Sequence, residues 1–267
     1  MRRIGRRTFL HDLGRKSFGV VLLGGAVAAC SDDDATTTEP VDTTATSSPT
    51  TTGDSPEEAT ATTTDTADAA EDQLRFRRVS LDFVSAYILV RGSEAAIVDT
   101  GSRGDAPRIE AALGELGLGW DAVGDLVLTH SHGDHVGSLT DIVAATPGVT
   151  AHAGGADIPS IDSPIELLAV GDGDRVFGLD IVDTPGHTPG HISVLDPAGS
   201  LLVAGDAING ADGGVVGPTP RFTADLDAAN ASAVKLGTFR YETVVFGHGD
   251  PVEGGASDTV AEMAATL

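Results

Sequence analysis

Residues 129–135 read Thr129-His130-Ser131-His132-Gly133-Asp134-His135, so three of the chain's eight histidines and one carboxylate fall within six positions. Imidazole nitrogen and carboxylate oxygen are donors that divalent metal ions take, and so dense a group has few other uses. Side chains at i and i+2 of an extended segment point the same way, so His130 and His132 can share one ion. A turn into a helix then swings Asp134 and His135 toward a second position. The flanks supply that geometry: an apolar run at 125–129 has the character of a buried strand, and 136–145 has helical spacing.

Four more polar residues stand directly after apolar runs, where loops leave one edge of a sheet. Asp99 follows Ala96-Ile97-Val98, His187 follows the run ending at Pro185-Gly186, Asp206 follows Leu202-Val203-Ala204-Gly205, and His248 follows Val244-Val245-Phe246-Gly247. The glycines beside His187, Asp206 and His248 let the backbone turn sharply and come close to an ion. Asp99 is best placed as an acceptor that orients a ligand histidine. His191 and His152 read as structural histidines, while Tyr87, Arg221 and Phe222 are candidates for contact with a substrate.

The elements that must position these groups follow from pattern. Strands are expected at 79–90 and 94–98, joined by Arg91-Gly92-Ser93, then at 149–152, 175–177, 179–183, 192–195, 201–204 and 243–246. Helices are expected at 107–116, 136–145 and 225–236, with a closing helix from about Ser257. Clustered strands with flanking helices predict a mixed sheet sandwich covered by helices rather than a doubly wound parallel sheet.

The ordered set His130-Ser-His132-Gly-Asp134-His135, Thr184-Pro-Gly-His187-Thr-Pro-Gly-His191, Gly205-Asp206 and Gly247-His248-Gly249 resembles the successive motifs of the metallo-β-lactamase-fold hydrolases. The resemblance covers nearly all of 79–255. It implies an α/β (α+β) fold, a four-layer αββα sandwich with the metals at one edge. It also implies that His130, His132 and His187 bind a first ion, that Asp134, His135 and His248 bind a second, and that Asp206 bridges them; Asp134 is also expected to act catalytically. The cofactor expected is a pair of divalent ions, zinc first, with iron and manganese compatible with the same ligands. Such a site ionises a bound water near neutral pH and holds a substrate oxygen as charge develops on it.

Within the family, a glyoxalase II-like or lactonase-like hydrolase of a small ester, thioester or lactone fits best. A β-lactamase or a mononuclear iron persulfide dioxygenase of the same fold is the alternative within the family: similarity to true β-lactamases implies cysteine or serine near the position of Asp206, and a complete second ligand set is less typical of the dioxygenases. A lipid-anchored binding protein without turnover is the alternative from another class, and loss of ligands would mark it.

Ahead of the domain, residues 1–29 join a basic head to the short apolar run 18–29. Arg6-Arg7-Thr8-Phe9-Leu10 resembles a twin-arginine export signal, and Val27-Ala28-Ala29-Cys30 a lipoprotein cleavage box, which implies cleavage before Cys30, lipidation of its sulfur and an extracytoplasmic, membrane-anchored protein. Cys30 is the sole cysteine, so a disulfide within the chain is excluded. Residues 30–72 are expected to be an acidic, Thr/Asp/Pro-rich disordered linker, and 73–267 the metal-binding domain. That domain carries ten basic and 27 acidic residues, a net charge of −17, which argues against nucleic acid as substrate or partner. A small molecule is the partner expected, and the sequence carries no signal for oligomeric state.

Overall fold

The computed structural model describes residues 73–267; the export signal, Cys30 and the acidic linker expected at 30–72 lie outside the described residues. Two six-stranded sheets form the interior. The first runs in spatial order through β1 (Arg75–Leu81), β2 (Val84–Arg91), β3 (Glu94–Val98), β4 (Val123–Leu128), β5 (Thr150–Gly154) and β6 (Leu167–Val170). The second holds β7 (Arg175–Val176), β8 (Leu179–Asp183), β9 (Ile192–Leu195) and β10 (Leu201–Val203). After the small hairpin β11 (Asn209–Ala211) and β12 (Gly214–Val216), it is completed by β13 (Thr243–Val245) and β14 (Val252–Glu253).

Alternation along β2 shows how the layers are made. Ala86, Ile88 and Val90 face a core that includes Ile109 and Leu113 of helix α1 (Ala106–Glu115). Tyr87 and Leu89 point the other way and pack between the sheets against Ile181, Val194 and Val203. A third core joins the outer face of the second sheet to helices α4 (Leu226–Leu236) and α5 (Ala256–Ala264) through Leu202, Val244, Ala233 and Val260. The order is therefore helix, sheet, sheet, helix, the αββα sandwich. Because both faces of each sheet are covered, β2 is buried without alternation from Val84 to Val90.

Strand direction places the chemistry. β3 runs parallel to β4, and β10 parallel to β13. β8 is antiparallel to β9, itself antiparallel to β10, so β8 and β10 share a direction. The carboxyl ends of β3 and β4 and those of β8, β10 and β13 thus gather where the sheets are tied, Ile192 N donating to Thr129 O at 2.9 Å and Ser85 N to Gly247 O at 2.9 Å.

Two expected elements differ. The single strand at 79–90 is a hairpin: the chain reverses at Asp82-Phe83, with Asp82 at φ 64°, and Leu81 pairs with Val84. The helix expected at 136–145 is split into α2 (Gly133–Val136) and α3 (Leu139–Ala145). Between them Gly137 N donates to Gly101 O and Ser138 Oγ to Ser102 O, tying the chain to the loop after β3 instead of continuing the helix. A Cβ on Gly137 would sit 2.5 Å from Arg103 N, so only glycine permits that approach. Among the described residues no helix is long and apolar enough to cross a membrane.

Candidate metal centre

The loop after β4 carries His130 and His132, and α2 turns Asp134 and His135 inward. The loops after β8, β10 and β13 add His187, Asp206 and His248. Ligand atoms within 4.8 Å of one another form three overlapping groups: His130, His132 and His187; Asp134, His135 and His248; and His130, His135 and Asp206. All seven residues singled out in the sequence are brought together.

Hydrogen bonds fix which nitrogen of each ring faces inward. Asp99, held at φ 62°, accepts from Thr129 N and from the Thr129 hydroxyl, each at 2.8 Å, and from His135 Nδ1 at 2.8 Å. Thr129's one hydroxyl proton is used on Asp99, so its oxygen accepts from His130 Nδ1, 3.0 Å away. His248 Nδ1 donates to the Phe83 carbonyl at 2.8 Å. Each outer nitrogen thus carries a proton, so Nε2 of His130, His135 and His248 faces the centre and offers a lone pair there once any second proton is lost.

Those lone pairs fit a cation. His132 Nδ1 lies 3.1 Å from His130 Nε2 and 2.9 Å from His187 Nε2. It has at most one proton to give, so the two contacts cannot both be hydrogen bonds. Ligands about 2.0–2.1 Å from a tetrahedral ion stand roughly 3.3 Å apart, close to this spacing. Asp206 then joins the groups: its oxygens lie 3.4 Å from His135 Nε2, 3.4 Å from His187 Nε2 and 3.2 Å from His248 Nε2. His135 Nε2 and Asp206 Oδ1 are buried without a hydrogen-bond partner, a costly arrangement that an ion would relieve. Gly247 gives Asp206 its room, since a Cβ there would meet Asp206 Oδ1 at 2.0 Å.

The electrostatics divide the site. Burial, with neighbouring imidazoles, holds His130 well below the usual histidine value. Burial outweighs the pull of Asp206 at His187 and takes it down to about 4. At His135 burial is again the largest effect but is overcome by Asp99 and Asp206, which push it up to about 9. Asp206 is held low because His135, His248 and His187 together outweigh its burial.

His191 contributes no free lone pair. Its Nε2 accepts from Asp206 N at 2.9 Å and its Nδ1 donates to Thr184 Oγ1 at 2.8 Å, so it positions the Asp206 backbone. His152 pairs with Asp125 at 2.8 Å and belongs to none of the three groups. Tyr87, a candidate for substrate contact, is instead buried between the sheets with its hydroxyl donating to Phe246 O at 2.7 Å. Asp157 was not legible in the sequence. Its carboxylate accepts from Ser131 N at 2.8 Å, the Thr188 hydroxyl at 2.6 Å and Gly190 N at 2.7 Å, bracing the loop of His130 and His132 against that of His187.

A cleft of about 730 Å³ opens on the centre, lined by His132, Asp134, His187, Asp206 and His248 and walled by Phe83, Asn209, Val216, Thr219 and Phe222. Of the two loop candidates Phe222 lines it and Arg221 does not; Phe83, read in the sequence as strand interior, is a wall residue. A concavity of similar size, about 740 Å³, lies at the amino ends of β3 and β4, beside Glu94 and Asp125, and holds none of the ligand groups.

Residues 79–248 match the model of the metallo-beta-lactamase superfamily. A hydroxyacylglutathione hydrolase of Fuscovulum blasticum is 34% identical over 158 residues, 56% of this chain and 57% of that protein. A probable metallo-hydrolase, YflN, of Bacillus subtilis is 30% identical over 175 residues, 48% of this chain and 65% of that protein. The chain spans about half the length of the hydroxyacylglutathione hydrolases it matches. Among solved structures, a metallo-beta-lactamase family protein of Thermus thermophilus shares the fold with a TM-score of 0.58 at 23% identity, covering 72% of this chain and 78% of that one. TTHA1623 in a di-iron-bound form aligns with a TM-score of 0.55 at 27% identity, over 66% of this chain and 93% of that one.

Proposed function

We propose, from the premise that this chain belongs to the metallo-beta-lactamase superfamily, that it is a hydrolase of a small ester, thioester or lactone that works with two divalent ions. The observation that carries this reading is Asp206, whose two oxygens reach histidines of both ligand groups. His130, His132 and His187 would hold one ion, Asp134, His135 and His248 the other, and Asp206 both. Ions held there would supply Lewis acidity toward a carbonyl oxygen and bring the ionisation of water near neutral pH.

The chain's own residues do the rest. Asp99, Thr129 and the Phe83 carbonyl lock the ring orientations. The Asp134 side chain, 27% exposed, lines the cleft and is the more exposed carboxylate of the set, where it can take the proton lost by the attacking water. Similarity to a hydroxyacylglutathione hydrolase supports ester or thioester chemistry, and similarity to a di-iron protein keeps iron beside zinc as the metal. Protein purified without chelator is expected to contain close to two ions per chain and to turn over at least one member of a thioester, ester and lactone panel. A ratio that stays near one after supplementation with zinc or iron would refute the paired site, and a loaded protein inert on the whole panel would favour a non-catalytic binding role.

We further propose that the protein is anchored outside the cytoplasm through lipid on Cys30, because the sole cysteine follows Val27-Ala28-Ala29 at the end of a basic and apolar leader. Cys30→Ala is expected to move the protein from the membrane to the soluble fraction or to leave its leader uncleaved. Unchanged fractionation and processing would count against lipidation.

A further inference from the structure

The walls of the cleft differ in character from its floor. Phe83, Phe222 and Val216 are 64%, 59% and 44% exposed, three of the seven large apolar side chains on the described surface that stand in solvent, and all three border this one opening. They come from separate elements: Phe83 from the β1–β2 turn, Val216 from β12, and Phe222 from the short turn Pro220–Phe222. Each exposed apolar side chain costs free energy in water, and such a gathering rimmed by polar groups marks a binding surface. The volume is in the range of small-molecule sites.

No lysine or arginine lines this cleft, and its only ionisable liners are the five metal-group residues His132, Asp134, His187, Asp206 and His248. Arg221, beside the wall, has its guanidinium 5.3 Å from the Phe222 ring centroid and is not a lining residue. A charged substrate tail would therefore lose water without meeting a counter-charge among the lining residues outside the metal groups. The domain's net charge of −17 adds long-range repulsion for an anionic tail.

Resting on the hydrolase reading above, we propose that the Phe83–Val216–Phe222 wall selects substrates whose tail is neutral and apolar, an acyl chain rather than a charged peptide-like thiol. The uncharged polar liners Asn209 and Thr219 bond to each other, Asn209 Nδ2 donating to Thr219 Oγ1 at 3.4 Å, and add no charge to the wall. Phe83 also stacks on His248, with ring planes 3° apart and centroids at 6.1 Å, so its side of the wall stands directly beside the ligand groups.

The test uses metal-loaded full-length protein and a series of ethyl thioesters from acetyl to octanoyl, run beside a glutathione thioester. Burying each methylene is expected to raise kcat/KM roughly threefold along the series. The glutathione thioester should fall at least tenfold below the neutral thioester of the same acyl group. Phe222→Ala should flatten the chain-length dependence, and Phe83→Ala, which keeps the carbonyl that His248 bonds, should do the same. A flat wild-type series, or preference for the glutathione thioester, would overturn the proposal. If no thioester, ester or lactone of the panel is cleaved, the hydrolase reading fails separately, and calorimetry with the uncleavable butanamide to decanamide series decides. Binding that tightens with chain length and weakens in Phe222→Ala upholds the apolar wall, and binding independent of length overturns it.

Discussion

Asp206→Ala is expected to lower hydrolysis of the best substrate by at least a factor of about a thousand and to leave neither ion bound after dialysis that wild-type protein withstands. The carboxylate stands between three histidine nitrogens at 3.2–3.4 Å, and those histidines belong to both ligand groups. Removing it withdraws a ligand and a negative charge from each group at once, whereas loss of any single histidine affects one. Metal assistance is worth several kcal/mol of transition-state stabilisation, and about 1.4 kcal/mol corresponds to a factor of ten, so a thousandfold loss is the scale to expect. The fold should survive, because the three hydrophobic cores do not include Asp206 and its backbone stays fixed by the bond from Asp206 N to His191. Asp206→Asn keeps the volume and one acceptor oxygen and should retain one ion. Retention of two ions by Asp206→Ala, with activity within tenfold of wild type, would show that Asp206 does not join the groups.

Legibility in the sequence followed the range of the forces involved. Asp206 and His248 were readable because each follows a buried apolar strand with glycine at the turn, a local pattern that fixes the end of the element and the residue it delivers. Asp99 was readable for the same reason. Asp157 was not, because its bonds to Ser131, Thr188 and Gly190 join segments 26 to 33 residues apart and leave no periodic trace. The β1–β2 turn was missed because Asp82-Phe83 lacks glycine, proline or asparagine and phenylalanine prolongs an apolar run; Asp82 takes the left-handed conformation at a steric cost that glycine would avoid. That omission hid Phe83 as a wall residue. The sequence leaves Tyr87 open between substrate contact and packing because both faces of β2 are buried, so strand parity cannot tell a cleft from the space between two sheets.

The two ligand groups are expected to release their ions in a fixed order as pH falls. A metal ligand must be unprotonated to bind, so affinity drops with pH only where the ion competes with a proton. His130 lies well below the usual histidine value and His187 at about 4, both chiefly through burial, so neither binds a proton at pH 7. The first group therefore loads without proton release from these two rings. His135, raised to about 9 because Asp99 and Asp206 outweigh its burial, is protonated at pH 7 in the metal-free protein. His248 is raised as well, led by its hydrogen bond to Asp206. The second group must displace at least one proton, and below about pH 9 its affinity should fall roughly tenfold per unit for each proton displaced. Stepping loaded protein from pH 8 toward 5 against a fixed free-metal buffer should empty the Asp134–His135–His248 group first, with activity falling in the same interval. The His130–His132–His187 ion should leave at a lower pH than the other. Asp134→Ala, which lacks a ligand only in the second group, identifies the later release, because its single ion should leave at the lower pH. Calorimetric loading at pH 7.5 in buffers of different ionisation enthalpy should register more protons released with the second ion than with the first. Equal proton release at the two steps, or earlier loss of the ion that Asp134→Ala retains, would mean that the carboxylates around His135 do not set the order of loading.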